Sequence, residues 1–185
     1  MRPLLLFAMV TAIACNPQNK EESPTADSTS ISSADTSQKS EVMLPYEAHY
    51  SAKFEMGKPE HVRIVGELWK SFDNNTLDDC KKYFSDSAYM LFADGAELRG
   101  SADSIISATK HFRSKYSKVR SEVAAWFPVK STDKNEHWVG VWGWEVDTQK
   151  GKTDSVNLHE IWQFNADDKI VAMRQFAGKM PTAKK

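Results

Sequence analysis

The stretch Phe164-Asn165-Ala166-Asp167-Asp168-Lys169-Ile170-Val171 decides how this chain is built. Upstream of it, Ser155 to Asn165 carries the alternating pattern of a strand, and downstream Lys169 to Phe176 does the same. Between them stand Ala166-Asp167-Asp168, turn-forming residues with room for nothing but a reversal. A parallel return would need a crossover of about a dozen residues or more, so these two strands are antiparallel neighbours.

The alternation extends backwards. His137 to Asp147 and Val119 to Val129 read as two further strands, with turns at Ser131–Asn135 and Gln149–Thr153, and Ser87 to Ala93 is a shorter strand closed by Asp94-Gly95. Elsewhere the spacing is helical. Pro59 suits a first turn, after which Val62, Val65, Trp69 and Phe72, with Leu68 beside them, make an apolar stripe. Thr76 can cap a second, short helix with Asp79 as its capping-box partner, and Leu77, Cys80 and Phe84 share its inner face, which makes Cys80 a buried free thiol. Ser101 can cap a third helix with Ile105, Ile106 and Phe112 on one face and His111 on the solvent side. Helix, helix, strand, helix and then four strands predict an α+β fold, with three N-terminal helices segregated to one side of a strongly curved antiparallel (mixed) sheet.

The segment from Phe164 to Val171 resembles the penultimate-strand Phe, acidic turn and Lys-Ile of the nuclear-transport-factor-2-like superfamily, a cystatin-like cone that includes the SnoaL-like cyclases and ketosteroid isomerases. Asp94-Gly95 followed by Leu98-Arg99-Gly100 resembles the first strand of that superfamily and the approach to its third helix. The resemblance implies a cone whose open end is a pocket. Strand parity places Trp138, Gly140, Trp142, Trp144 and Val146 on one face, and Leu158, Glu160, Trp162 and Phe164 on one face of the next strand. Two readings follow: a closed Trp-rich core or dimer face, or an aromatic pocket in which Gly140 and Gly143 leave room, with Trp69, Leu91, Trp142, Trp144, Glu160 and Trp162 touching a small apolar ligand. A cavity above ~300 Å³ with Glu160 in its wall fits binding or catalysis; a cone plugged by its own tryptophans fits an interaction module.

Isomerase chemistry, as the resemblance implies it, needs a carboxylate base, a tyrosine donor and a protonated carboxylic acid. The base position falls on Leu91 or Phe92 and the tyrosine position on Leu68 or Trp69; only the acid is matched, by Glu160, so steroid isomerisation is not expected. Desolvation would raise the Glu160 carboxyl and keep it a donor, unless Arg174 on the last strand pairs with it. Asp94 is the nearest acidic substitute for the base, although Asp before Gly is a turn former. His159 has the opposite parity and faces outward or into a dimer interface. No catalytic residue is assigned; an enzyme would use Glu160 and Asp94. No cofactor motif, metal spacing or nucleophile elbow is present in the sequence.

The segments outside the domain concern location. The chain has 185 residues, and the globular part spans residues 46–181, leaving a tail of 182–185. Met1-Arg2 followed by the apolar run from Leu4 to Val10 is too short to span a bilayer and reads as the core of a signal peptide, residues 1–14. Ala12-Ile13-Ala14-Cys15 resembles the lipobox of bacterial lipoproteins, although Leu is usual where Ala12 stands, so Cys15 is the expected site of lipid attachment. Residues 15–45 are rich in Ser, Thr and charge and read as a tether; within it Lys20-Glu21-Glu22 resembles the export signal of Bacteroidetes surface lipoproteins, and Asp27-Ser28-Thr29 that phylum's O-glycosylation motif. The expected setting is the bacterial envelope, outer-membrane-anchored, periplasmic or surface-exposed. The charge balance, 24 basic against 25 acidic residues, excludes a nucleic-acid binder, and two dissimilar, distant cysteines supply neither a disulfide framework nor a zinc site. The expected partners are the membrane, a small apolar ligand and a second copy of the chain.

Overall fold

The computed structural model describes residues 44–179. The expected signal peptide (1–14), Cys15, nearly all of the expected tether (15–45) and the tail lie outside the described residues. The elements run β1 (Phe54–Met56), α1 (Pro59–Asn74), a 3-10 helix (Leu77–Tyr83), β2 (Phe84–Leu91), β3 (Glu97–Gly100), α2 (Ala102–Arg113), β4 (Lys118–Ser131), β5 (Glu136–Gln149), β6 (Lys152–Phe164) and β7 (Ile170–Lys179). Seven strands form one sheet in the order β1-β4-β5-β6-β7-β2-β3, and every pairing is antiparallel except β2 with β7. The α+β expectation holds, with β1 and β3 as additions: at three and four residues they are too short to display a period.

Local chemistry explains the boundaries. Pro59 opens α1, and Asn75 in the left-handed region (φ 57) closes it. Ser101 caps α2 by accepting from the backbone N–H of Ser104 at 3.3 Å. Thr76 makes no such bond, and its segment winds as a 3-10 helix rather than the capped α-helix that the sequence suggests. Helix α1 packs on β4 and β5, and α2 on the 3-10 helix, β2 and β3, so the helices lie against one face of the sheet. The core between them holds Val65, Leu68, Ile105, Ile106, Phe164 and Ile170, with Cys80 buried and its thiol pushed up by desolvation.

The Phe164–Val171 segment does more than reverse the chain. Asn165 accepts from the N–H groups of Asp167 and Lys169 through Oδ1, and Asp168 takes a left-handed φ of 59°. The Asp168 carboxylate then accepts from Lys58 Nζ at 2.5 Å and His61 Nε2 at 2.8 Å, which fixes the start of α1 against the β6–β7 turn. His61 is fully buried, stacked on Phe164 with ring centroids 4.0 Å apart.

Candidate functional site

Register decides what the cone contains. The β5–β6 hairpin closes on two residues, Lys150 and Gly151, both at positive φ (49° and 76°), the geometry of a type I′ turn. Gln149 therefore faces Lys152, and up the ladder Glu145 faces Val156, Gly143 faces Leu158, Val141 faces Glu160 and Val139 faces Trp162. The face that carries Glu160 and Trp162 on β6 thus carries Val139, Val141, Gly143, Glu145 and Asp147 on β5. The alternate residues, Trp138, Gly140, Trp142 and Trp144, point to the other side.

A cavity of about 460 Å³ opens between this concave face and the helices. Trp69 from α1 and Trp162 from β6 form part of its wall, and Phe72, Phe92, Phe112 and Tyr116 add further rings. Gly143 is required here: a Cβ at that position would lie 2.4 Å from the Glu122 carbonyl oxygen and 3.0 Å from the Trp69 ring, so glycine alone lets the indole lie against the sheet.

In the wall of the cavity Glu160 is 5% exposed and accepts three hydrogen bonds: Trp69 Nε1 to Oε2 at 2.6 Å, Trp162 Nε1 to Oε2 at 2.9 Å and Gln175 Nε2 to Oε1 at 2.9 Å. Burial pushes its carboxyl upward, and the three donors pull against that push. Its cross-strand partner is Gln175; Arg174 sits opposite Ile161 with the other parity, so the alternative pairing with Arg174 does not form. Glu160 is thereby a fixed anchor that sets the orientation of two indoles facing the cavity.

Glu145 is the acidic group that sequence reasoning missed. It lines the same cavity, and burial raises its carboxyl from 4.5 to about 7, with Asp147, Glu160 and Asp73 adding repulsion and Arg113 opposing them. Arg113 is itself buried and spends its donors on the carbonyls of Phe72, Asp73 and Tyr116, which ties the ends of both helices together. Asp147, also in the wall, is raised by burial first and Asp154 second. The signal that could have found Glu145 is the Lys150-Gly151 dipeptide: a two-residue hairpin pairs odd positions of β5 with even positions of β6.

The sequence-stated contacts divide accordingly. Trp69, Glu160 and Trp162 are brought together in the wall. Trp142 and Trp144 are not: they lie on the convex face, because the hairpin register opposes the parity assumed for β5. Leu91 is not in the wall either; the inward set on β2 is Ala88 and Met90, and the chain then turns Phe92 inward. Asp94 borders the mouth but accepts from the Ala96 N–H at 2.9 Å, with Gly95 at φ 84, as a turn former does.

On the convex face Trp142 (51% exposed) and Phe176 (54%) flank His159, with Phe127 edge-on to Trp142 at 5.1 Å. Phe127 lies across Gly140, where a Cβ would overlap its ring at 1.9 Å. His159 does face away from Glu160, as parity predicts. Among the described residues no group of three or more His, Cys, Asp and Glu side chains could hold a metal ion, and no helix is long and apolar enough to cross a membrane.

A scan of protein families finds no match, and neither does a search of curated proteins. Solved structures do match. An NTF2-like protein of unknown function from Exiguobacterium sp. 255-15 superposes with a TM-score of 0.53 at 19% identity, over 63% of this chain and 99% of its own. A hypothetical protein with a ketosteroid isomerase-like fold from Catenulispora acidiphila, in complex with trimethylamine, gives 0.50 at 15% identity over 64% and 85%. A candidate SnoaL-like polyketide cyclase from Shewanella denitrificans gives 0.52 at 8% identity over 65% and 92%. Identities this low speak for architecture alone. The chain has the nuclear-transport-factor-2-like α+β fold, shared with proteins of unknown function and with SnoaL-like cyclases.

Proposed function

We propose that the chain is a lipid-anchored protein of a bacterial envelope whose cone binds a small, largely apolar molecule. The observation that carries the binding reading is the cavity: about 460 Å³ of space, walled by aromatic rings, with two indoles held in place by Glu160. Ligand sites of ordinary size begin at ~300 Å³ and combine apolar walls with a few fixed polar groups. The anchor reading is supported by the signal-like start, Cys15 and the Ser/Thr-rich stretch that follows. Exposed Trp142 and Phe176 support a second copy of the chain as the partner of the convex face.

One observation favours a second reading, an acid–base enzyme acting on a hydrophobic ketone. A carboxyl that titrates near 7, as Glu145 does, can both take and return a proton at neutral pH. Its position differs from the isomerase base position at Leu91 or Phe92, so the reading rests on chemistry rather than on resemblance.

Tryptophan indole N–H resonances separate these possibilities in one titration. With 1-tetralone as trial ligand, the Trp69 and Trp162 signals should shift saturably while Trp142, on the opposite face, serves as internal control. Movement of the Trp142 and Trp144 signals alone would place binding on the convex face and end the cone reading. Deuterium uptake at the carbon next to the ketone, lost in Glu145→Gln, would select the enzymatic reading over simple binding.

A further inference from the structure

We infer that the molecule taken by the cone is an organic cation: an ammonium group, protonated or quaternary, carried on an apolar body. The inference rests on the reading of the cone as a small-molecule site and supplies the ligand class which that reading leaves open.

Two independent features of the cavity lead to it. The first is the void and its rings: Trp69, Trp162, Phe72, Phe92, Phe112 and Tyr116 line one open cavity, and aromatic ring faces attract a cation placed over them. The second is the sign of the charge. Among the described residues, Glu145, Asp147, Glu160 and Asp94 border the cavity, and no Lys, Arg or His does. Arg113, buried and outside the lining, has its donors committed to three backbone carbonyls. These acids are not grouped as metal ligands. They spread negative potential over a volume walled by hydrocarbon, which suits a large, weakly hydrated cation better than a metal ion that must be gripped by several oxygens at once. An anionic or neutral ligand of the same shape would deepen the burial of Glu145 and Asp147 without neutralising them.

Proton and ligand then compete. Glu145 is held neutral below about 7 by burial and by Asp147, Glu160 and Asp73, against Arg113. A bound ammonium favours its carboxylate, so cation affinity should rise as the pH climbs through that range, and a neutral ligand should gain nothing.

The test uses two probes of one shape: benzyltrimethylammonium and neopentylbenzene, in which a carbon replaces the quaternary nitrogen. Titrated into the protein at pH 8, the cation should bind at least tenfold more tightly than the hydrocarbon. That preference should shrink severalfold at pH 5.5, and it should shrink at pH 8 in Glu145→Gln and in Asp147→Asn, each checked for an unchanged circular dichroism spectrum. Equal or tighter binding of neopentylbenzene at pH 8 overturns the cation inference and leaves the apolar cone intact. A cation preference that neither substitution nor pH alters overturns it too, because the field would then come from elsewhere. If neither probe binds, the small-molecule reading falls and this inference with it.

Discussion

Replacing Glu145 by Gln should make the domain more stable, and increasingly so as the pH rises. The carboxyl titrates near 7 in the folded chain against an ordinary 4.5, chiefly because burial penalises its charge. Between those values the native state holds a proton that the unfolded chain has released, so wild-type stability falls as pH rises through the window. The full difference corresponds to about 3 kcal/mol, and partial contact with water brings it to about 2–3 kcal/mol. Below pH 4.5 both forms carry a neutral group of one shape and should be equally stable. Asp147 and Glu160 titrate in both proteins, and the repulsion they exert on Glu145 is part of what the substitution removes. Urea unfolding at half-unit steps from pH 4 to 8.5 reads the difference directly. A gap that stays flat within about 0.5 kcal/mol across that range, or a variant that is the weaker protein at pH 8, would refute the claim that burial holds the Glu145 carboxyl neutral in the folded chain.

Truncating Trp162 to Ala should cost about 3–5 kcal/mol in urea unfolding, since the indole is buried and releases Glu160 from one donor, whereas the half-exposed Trp142→Ala should cost less than about 1 kcal/mol. Gly143→Ala drives a methyl into the Glu122 carbonyl and the Trp69 ring and should destabilise by about 1–3 kcal/mol, with a shifted Trp69 indole signal as its local mark. Trp142→Glu should abolish any self-association seen by sedimentation while leaving ligand binding in the cone unchanged. Cys15→Ser in the full chain should move the protein from the membrane to the soluble fraction, and mass spectrometry of the unaltered chain should find acyl groups on that residue.

Much of the fold was legible because its large elements are long enough to show a period. Four strands of ten residues or more and two amphipathic helices announce themselves, and the Asn-Ala-Asp-Asp turn fixes the last pairing. The three-residue β1 and four-residue β3 left no pattern, and Leu98-Arg99-Gly100 read instead as the approach to a helix. The site was half legible. On β6 every second residue from Leu158 to Phe164 is apolar except Glu160, so the inward face is plain. On β5 the habit of turning apolar residues inward misleads, because the tryptophans occupy the convex face and the carboxylates of Glu145 and Asp147 the concave one. A sheet with a packed side and an aromatic outer side offers two apolar sets, and hydrophobicity alone does not choose between them.

That choice belongs to the two residues Lys150 and Gly151. The turn sets the register, and a slip of the pairing by one residue moves every side chain of the following strand to the other side of the sheet. A one-residue slip of β6 along a fixed β5 would bring His159 and Ile161 to the cavity and send Glu160 and Trp162 to the other face. The strand pair thus carries two messages on alternate letters, one addressed to the cavity and one to the outer surface, and the turn tells the folding chain which is which. Substitution at the exposed Lys150 is therefore restricted to residues that tolerate a positive φ, with asparagine or glycine the most favourable.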